Sequence, residues 1–214
     1  MLKDIGFALG LAAESALAVV GIRTGEEARF ESAGHAGPVE IRRYGPRLAA
    51  ETTLDPGSRD QAFGVLAGYI FGKNRAPAGG SAKIAMTTPV EMRSARIAMT
   101  APVEIAPGSG SRVTMRFFLP RALSRAAAPE PADPRVRIVE LPGETMAVLR
   151  FSGGTDDARI AERQAALLKA LRGSAWAPAG EPVFMGYDPP FTPPFLRRNE
   201  VAVAVQGSTA KTAE

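Results

Sequence analysis

The side chains that most often carry acid–base, nucleophilic or metal chemistry are scarce in this 214-residue chain, which has one histidine, His35, and no cysteine. His35 stands in Gly34-His35-Ala36-Gly37-Pro38, a turn by its glycine and proline content. Without a second histidine or a thiolate, neither a multi-histidine metal site nor a Ser-His-Asp triad on a nucleophile elbow can be assembled. The Gly-Ser stretches Gly79–Ser81 and Gly108–Ser111 lack the Lys-Ser/Thr of a phosphate loop and read as turns. Acidic residues alternate with basic ones, as at Glu40, Arg42 and Glu51, a pattern that reads as a solvated face. No acid, base or nucleophile is arranged for catalysis, and the chain reads as a binding protein.

Apolar side chains are better organised. Phe63, Leu66, Ala67, Ile70 and Phe71 recur at helical spacing, with more apolar width than a thin amphipathic helix needs. The proline-rich run Asp188–Leu196 adds Phe191 and Phe195. Two near-copies of one phrase, KIAMTTPVE from Lys83 and RIAMTAPVE from Arg96, put Ile84 with Met86 and Ile97 with Met99 on one face each at period two. Stripes of this kind are usually packing, yet together these residues offer walls for a flat apolar ligand.

Composition bounds the rest. The 26 basic residues against 22 acidic ones leave a net charge of only +4, scattered singly or in pairs, so no nucleic-acid partner is implied. A 45% hydrophobic content suits a globular domain, and 18 prolines with 22 glycines point to many short elements. From Ile5 to Val20 the chain is apolar, but Glu14 in its middle costs about 2.5–3.5 kcal/mol in a spanning helix. Residues 1–25 are therefore read as a helical leader packed on the body or lying at a membrane surface, with an uncleaved anchor as the alternative. The expected location is the cytoplasm, the alternatives being the periplasm or a membrane anchored through this segment.

The elements that must position these residues follow in order. Val39–Tyr44 and Arg47–Leu54 read as a hairpin about Gly45-Pro46. Ser58 and Gln61 have capping-box form and open a helix that Gly72 stops. The two phrase copies read as strands side by side, followed by a strand over Arg112–Pro120. Arg121–Pro134 looks like a connector with no core-forming pattern. Then the logic returns at one constant offset, with Val39 over Val136, Ile41 over Ile138, Ala50 over Ala147 and Asp60 over Asp157. A second hairpin turns at Pro142-Gly143, and a second helix carries Ile160, Leu167, Leu168 and Leu171. Strands at Pro182–Tyr187 and Asn199–Val205 close the unit. The expected fold is α+β, a distorted eight-stranded antiparallel barrel with two flanking helices built from two pseudo-symmetric ββαββ repeats, one domain over 26–206 with a disordered tail from 207 to 214.

At these residues the chain resembles the SOUL/HBP family of heme-binding proteins. The matching phrases are VEIRRYGP (Val39–Pro46), GKN (Gly72–Asn74), KIAMTTPV, RIAMTAPV (Arg96–Val103), FFLP (Phe117–Pro120), GYDPP (Gly186–Pro190) and RRNEV (Arg197–Val201), in family order. The resemblance implies non-covalent binding of heme or another tetrapyrrole in an apolar groove beside the first helix, with no catalytic residues. Carried over by position, the groove involves Phe63, Leu66, Ala67, Ile70, Met86 or Met99 and the loop holding Phe191 and Phe195. Arg43 stands where some members carry an iron-ligating histidine, which leaves His35 as a candidate axial ligand and makes binding without a strong ligand the leading version. Lys73, Arg75, Arg197 or Arg198 would meet the propionates. A monomer is expected. The alternatives are a small-molecule-sensing or protein-interaction module of the effector-binding type, using a buried Glu, and a tetrapyrrole-processing enzyme.

Overall fold

Strands buried along much of their length, on both faces at the centre, build a curled antiparallel sheet with two helices on one face, an α+β architecture. The structure, a computed structural model, describes residues 25–55, 58–95, 112–189 and 191–207. The leader up to residue 24, the second phrase copy with Ile97 and Met99, the Gly108–Ser111 turn and the tail beyond Gly207 lie outside them, and Gly207, expected in the tail, ends the last strand. Nine strands form the sheet: β1 Phe30–Ala36, β2 Val39–Tyr44, β3 Arg47–Leu54, β4 Val90–Ala95, β5 Arg112–Phe118, β6 Arg137–Leu141, β7 Glu144–Phe151, β8 Val183–Gly186 and β9 Asn199–Gly207. Helix α1 spans Arg59–Ile70 and α2 spans Asp157–Leu171. The sheet order is β6-β3-β5-β4-β8-β9-β7-β2-β1, with Trp176–Pro178 added on the end of β9. Among the described residues no pairing joins β6 to β1, so the ladder is a curled half-barrel and not the closed eight-stranded barrel expected from the sequence.

Neither expected hairpin forms. β2 pairs with β7 and β3 with β6, and the two ladders share one register, Tyr44 facing Glu144 and Arg47 facing Leu141. Gly45-Pro46 and Pro142-Gly143 thus face each other as kinks in two long strands. The physical reason lies in the turns: Gly45 does not take the positive φ that a Gly-first turn requires, and Pro142 cannot supply one. A side chain at Gly143 would stand 3.1 Å from the Tyr44 carbonyl oxygen, so the crossing needs glycine there.

Three further expectations change. His35 is not in a turn but on the exposed edge strand β1, opposite Glu40, and the turn falls at Gly37-Pro38. Ile84 and Met86 precede the ladder, which the first phrase joins only at Val90, after Thr87–Thr88 pair in parallel with Glu26–Glu27 in a separate two-stranded sheet. The connector is partly core: Leu123 and Ala128 pack beneath α1, and the Tyr69 hydroxyl donates to the Pro129 carbonyl at 2.9 Å.

The helices cover one face. Ala62, Leu66, Tyr69 and Ile70 of α1 meet Ala50, Met115, Phe117 and Val136, while Ile160, Leu167 and Leu171 of α2 meet Val39, Ile41, Ala147, Val201 and Val203. No helix among the described residues is long and apolar enough to cross a membrane.

Candidate functional site

Helix α1 begins at Ser58, whose side chain makes no capping hydrogen bond, so the expected capping box is absent. It ends where Gly72 takes φ +113°, with the Phe71 N–H donating to the Ala67 carbonyl at 2.9 Å and the Lys73 N–H to that of Gly68 at 2.8 Å. Beyond it the buried Asn74 amide donates to the Tyr69 and Ala82 carbonyls, each at 2.7 Å, which ties the following loop to the helix end. Burial pushes the Tyr69 phenol up to about 12, against the smaller opposing effect of Arg125.

From Ala62 to Gly72 no residue is charged, on either side of the helix. Leu66 and Ile70 are fully enclosed in the core, with Ala67 partly buried beside them. The outward surface therefore consists of Phe63 (40% exposed), Gly64, part of Ala67, Gly68 and Phe71 (44% exposed). Phe63 is held edge-on against Phe117, ring centroids 5.2 Å apart. A Cβ at Gly64 would meet nothing within 4 Å, whereas the Lys73 stem covers Gly68. By contrast α2 exposes Asp157, Glu162 and Lys169.

The other expected groove residues are spread around this helix. Met86 is half-buried against the α1 core, and the Ile84 N–H donates to the Ile70 carbonyl at 2.8 Å. Phe191 and Phe195 (76% exposed) lie on a loop whose base is linked to the start of α1: the Pro194 carbonyl accepts from the Gly153 N–H at 2.9 Å, and Arg59 reaches the Thr155 carbonyl and Asp157. His35 is elsewhere, since its neighbours Ala33 and Ala36 pack against the α2 core. Among the expected propionate partners, Lys73 and Arg75 stand exposed just past α1, whereas Arg198 is taken by Glu27 and Glu200 and lies over the Tyr187 ring. No cluster of three or more metal-ligating side chains occurs among the described residues.

The opposite, concave face of the sheet overturns one expectation. Arg42, Glu51, Glu91 and Glu200 are enclosed, not solvated, while Glu40 is half-buried and Arg137 at the edge is exposed. One register row runs Arg137, Glu51, Arg116, Glu91, Met185, Glu200 across six strands. Arg116 bridges Glu51 at 2.7 Å and Glu91 at 2.8 Å. Glu200, 0% exposed, accepts from two Arg42 nitrogens at 2.8 and 3.2 Å, from Arg198, and from the Tyr187 hydroxyl at 2.6 Å. Burial alone would raise this carboxyl, but Arg42 first, then Tyr187 and Arg198, hold it below its ordinary value of 4.5. Burial drives the Tyr187 phenol upward, and the neighbouring Glu200 charge adds to the rise. Sequence reasoning missed this row because strand order decides which charges meet.

At the kinked end of the sheet lies a cavity of about 960 Å³, within the usual size range of ligand pockets, about 300–1,000 Å³. Its walls include Tyr44, Arg47, Leu48, Phe118, Leu119 and Leu141, and none of them belongs to α1.

These features can be set beside known proteins. No curated protein matches the sequence. Among solved structures, the C-terminal domain of EcmrR shares 10% identity and superposes at TM-score 0.55, covering 79% of this chain and 97% of that one. A hydrolase from Listeria innocua shares 10% identity at TM-score 0.54, covering 78% and 91%. At such identity they show a common fold. The description "SOUL heme-binding protein" fits a family profile that matches residues 25–204. With nearly every described element inside that match, the chain belongs to the SOUL heme-binding protein family.

Proposed function

We propose that this protein is a non-enzymatic tetrapyrrole binder, a monomeric carrier or buffer that holds heme or a related porphyrin against the outer face of α1. The observation that carries the reading, beside family membership, is the uncharged surface of Phe63, Gly64, Ala67, Gly68 and Phe71, which ends at the cations Lys73 and Arg75. A planar macrocycle would lie on the two exposed rings and approach the backbone at Gly64, with a carboxylate toward the cationic end. Leu66 and Ile70 support this surface from the core, and Met86 and the Phe191–Phe195 loop flank it. Hydrophobic contact dominates, and no axial bond from His35 is required. The reading includes two pseudo-symmetric halves curling toward a barrel, supported by a strand order that runs alike from both sides of the β4·β8 pair.

The effector-binding alternative shares the fold. A cation-sensing version needs a buried carboxylate left for the ligand, and here Glu51, Glu91 and Glu200 all have arginine partners.

Hemin titration followed in the Soret region tests the proposal. The expected result is a saturable shift in the wild type and in His35→Ala, and its loss in Phe63→Asp and Phe71→Asp with unchanged far-UV circular dichroism. Equal binding by both aspartate variants would remove α1 as the site.

A further inference from the structure

In the wall of the cavity at the kinks stands a guanidinium, that of Arg47, paired with one carboxylate of the protein. Arg47 opens β3 immediately after the Gly45-Pro46 kink, and its side chain is nine-tenths buried, with 10% exposure. Its guanidinium lies over the Tyr44 ring at 4.3 Å and the Phe118 ring at 4.6 Å, so both neighbours pin it in place. One terminal nitrogen donates to the Glu144 carboxylate across the β6–β7 kink and forms an ion pair with it. The Nε–H is buried and has no hydrogen-bond partner among the described residues. A buried charged donor without an acceptor is costly, and guanidinium groups satisfy such donors best with planar oxyanions.

The rest of the cavity defines the ligand. Arg43, Arg121 and Arg125 stand exposed on its rim. Of the rim carboxylates, Glu27 is occupied by Arg198 and Glu26 accepts from the Arg121 backbone N–H at 3.0 Å, while Glu31 and Glu140 remain at the edge. The inner walls are apolar, formed by Leu48, Leu119, Leu123 and Leu141. We infer that this cavity is a second binding site, separate from the α1 surface, for an amphiphilic carboxylate whose head is taken by Arg47 and whose apolar body lies on the leucines. The size, the apolar lining and the pinned guanidinium select for both halves of such a molecule: a bare anion would leave the leucines wet, and an apolar alcohol would leave Arg47 as it is.

Isothermal titration of the full chain with octanoate, octanol and octylamine tests this, with hemin as a competitor. Octanoate should bind once per chain and saturably, the alcohol and the amine should not, and hemin should leave the octanoate isotherm unchanged. Arg47→Gln should weaken octanoate about tenfold or more, as expected for loss of a charge-assisted contact. Because Arg47 is also structural, the exposed pair Arg43→Gln/Arg125→Gln provides a variant that keeps the fold, and it should weaken octanoate severalfold while octanol stays unbound. Equal binding of octanol or octylamine, octanoate affinity unchanged in folded Arg47→Gln or in the rim pair, or competitive displacement by hemin would each overturn the proposal.

Discussion

Glu200 shows how one side chain can be costly and indispensable at once. Its carboxylate is fully enclosed, and its burial is offset only because Arg42, Arg198 and Tyr187 converge on it. Breaking such a group from one side is worse than never having built it, since the partner charge stays buried. Glu200→Gln should therefore lower unfolding free energy by about 3 kcal/mol, read from the urea midpoint. The pH dependence follows from the lowered carboxyl: the folded state holds its proton less readily than the unfolded chain. The stabilisation is thus fully present above the ordinary value of 4.5 and is lost as pH falls below it. Urea midpoints between about pH 6 and about pH 3 should fall more steeply in the wild type than in Glu200→Gln. Parallel slopes would mean that other carboxylates govern acid unfolding.

At the scale of the element, α1 separates packing from binding along one short run. Leu66→Ala should cost about 3 kcal/mol, because its side chain fills the core against β3 and β5, and any loss of hemin affinity in it would trace to the fold. Gly64→Ala should do the reverse, raising stability by about 1 kcal/mol through helix propensity while a Cβ intrudes on the proposed ligand surface and weakens hemin. A stabilised variant with unchanged affinity would place the ligand off that face. Much of this was legible in the chain: the helix, its apolar breadth, most strands and the enclosing core stand where periodicity puts them. Three things were not. Leu66 and Phe63 look alike in a hydrophobic pattern, and only the sheet beneath decides which is buried. Gly45-Pro46 looks like a hairpin turn, because whether a two-residue break folds back or merely bends depends on a φ that glycine leaves open. Arg42 and Glu200 are far apart in sequence, so their pairing depends on β2, β7 and β9 lying side by side.

For the molecule as a whole, a ligand that binds only the folded state must stabilise it. At about one hundred times its dissociation constant hemin should add about 2.7 kcal/mol, a melting shift of about 5–10 °C for a domain of this size. No shift at a concentration that saturates the Soret change would mean that hemin also binds the unfolded chain. The kinked strands extend this to how the domain comes apart. Because β2–β3 is hydrogen-bonded along its length to β6–β7, the first half of the chain finds its backbone partners in the second, and either half alone would expose unpaired strand edges. The two halves are thus interlocked and not stacked modules: a polypeptide severed between them would have to reassemble from both pieces, and neither would keep a ligand by itself.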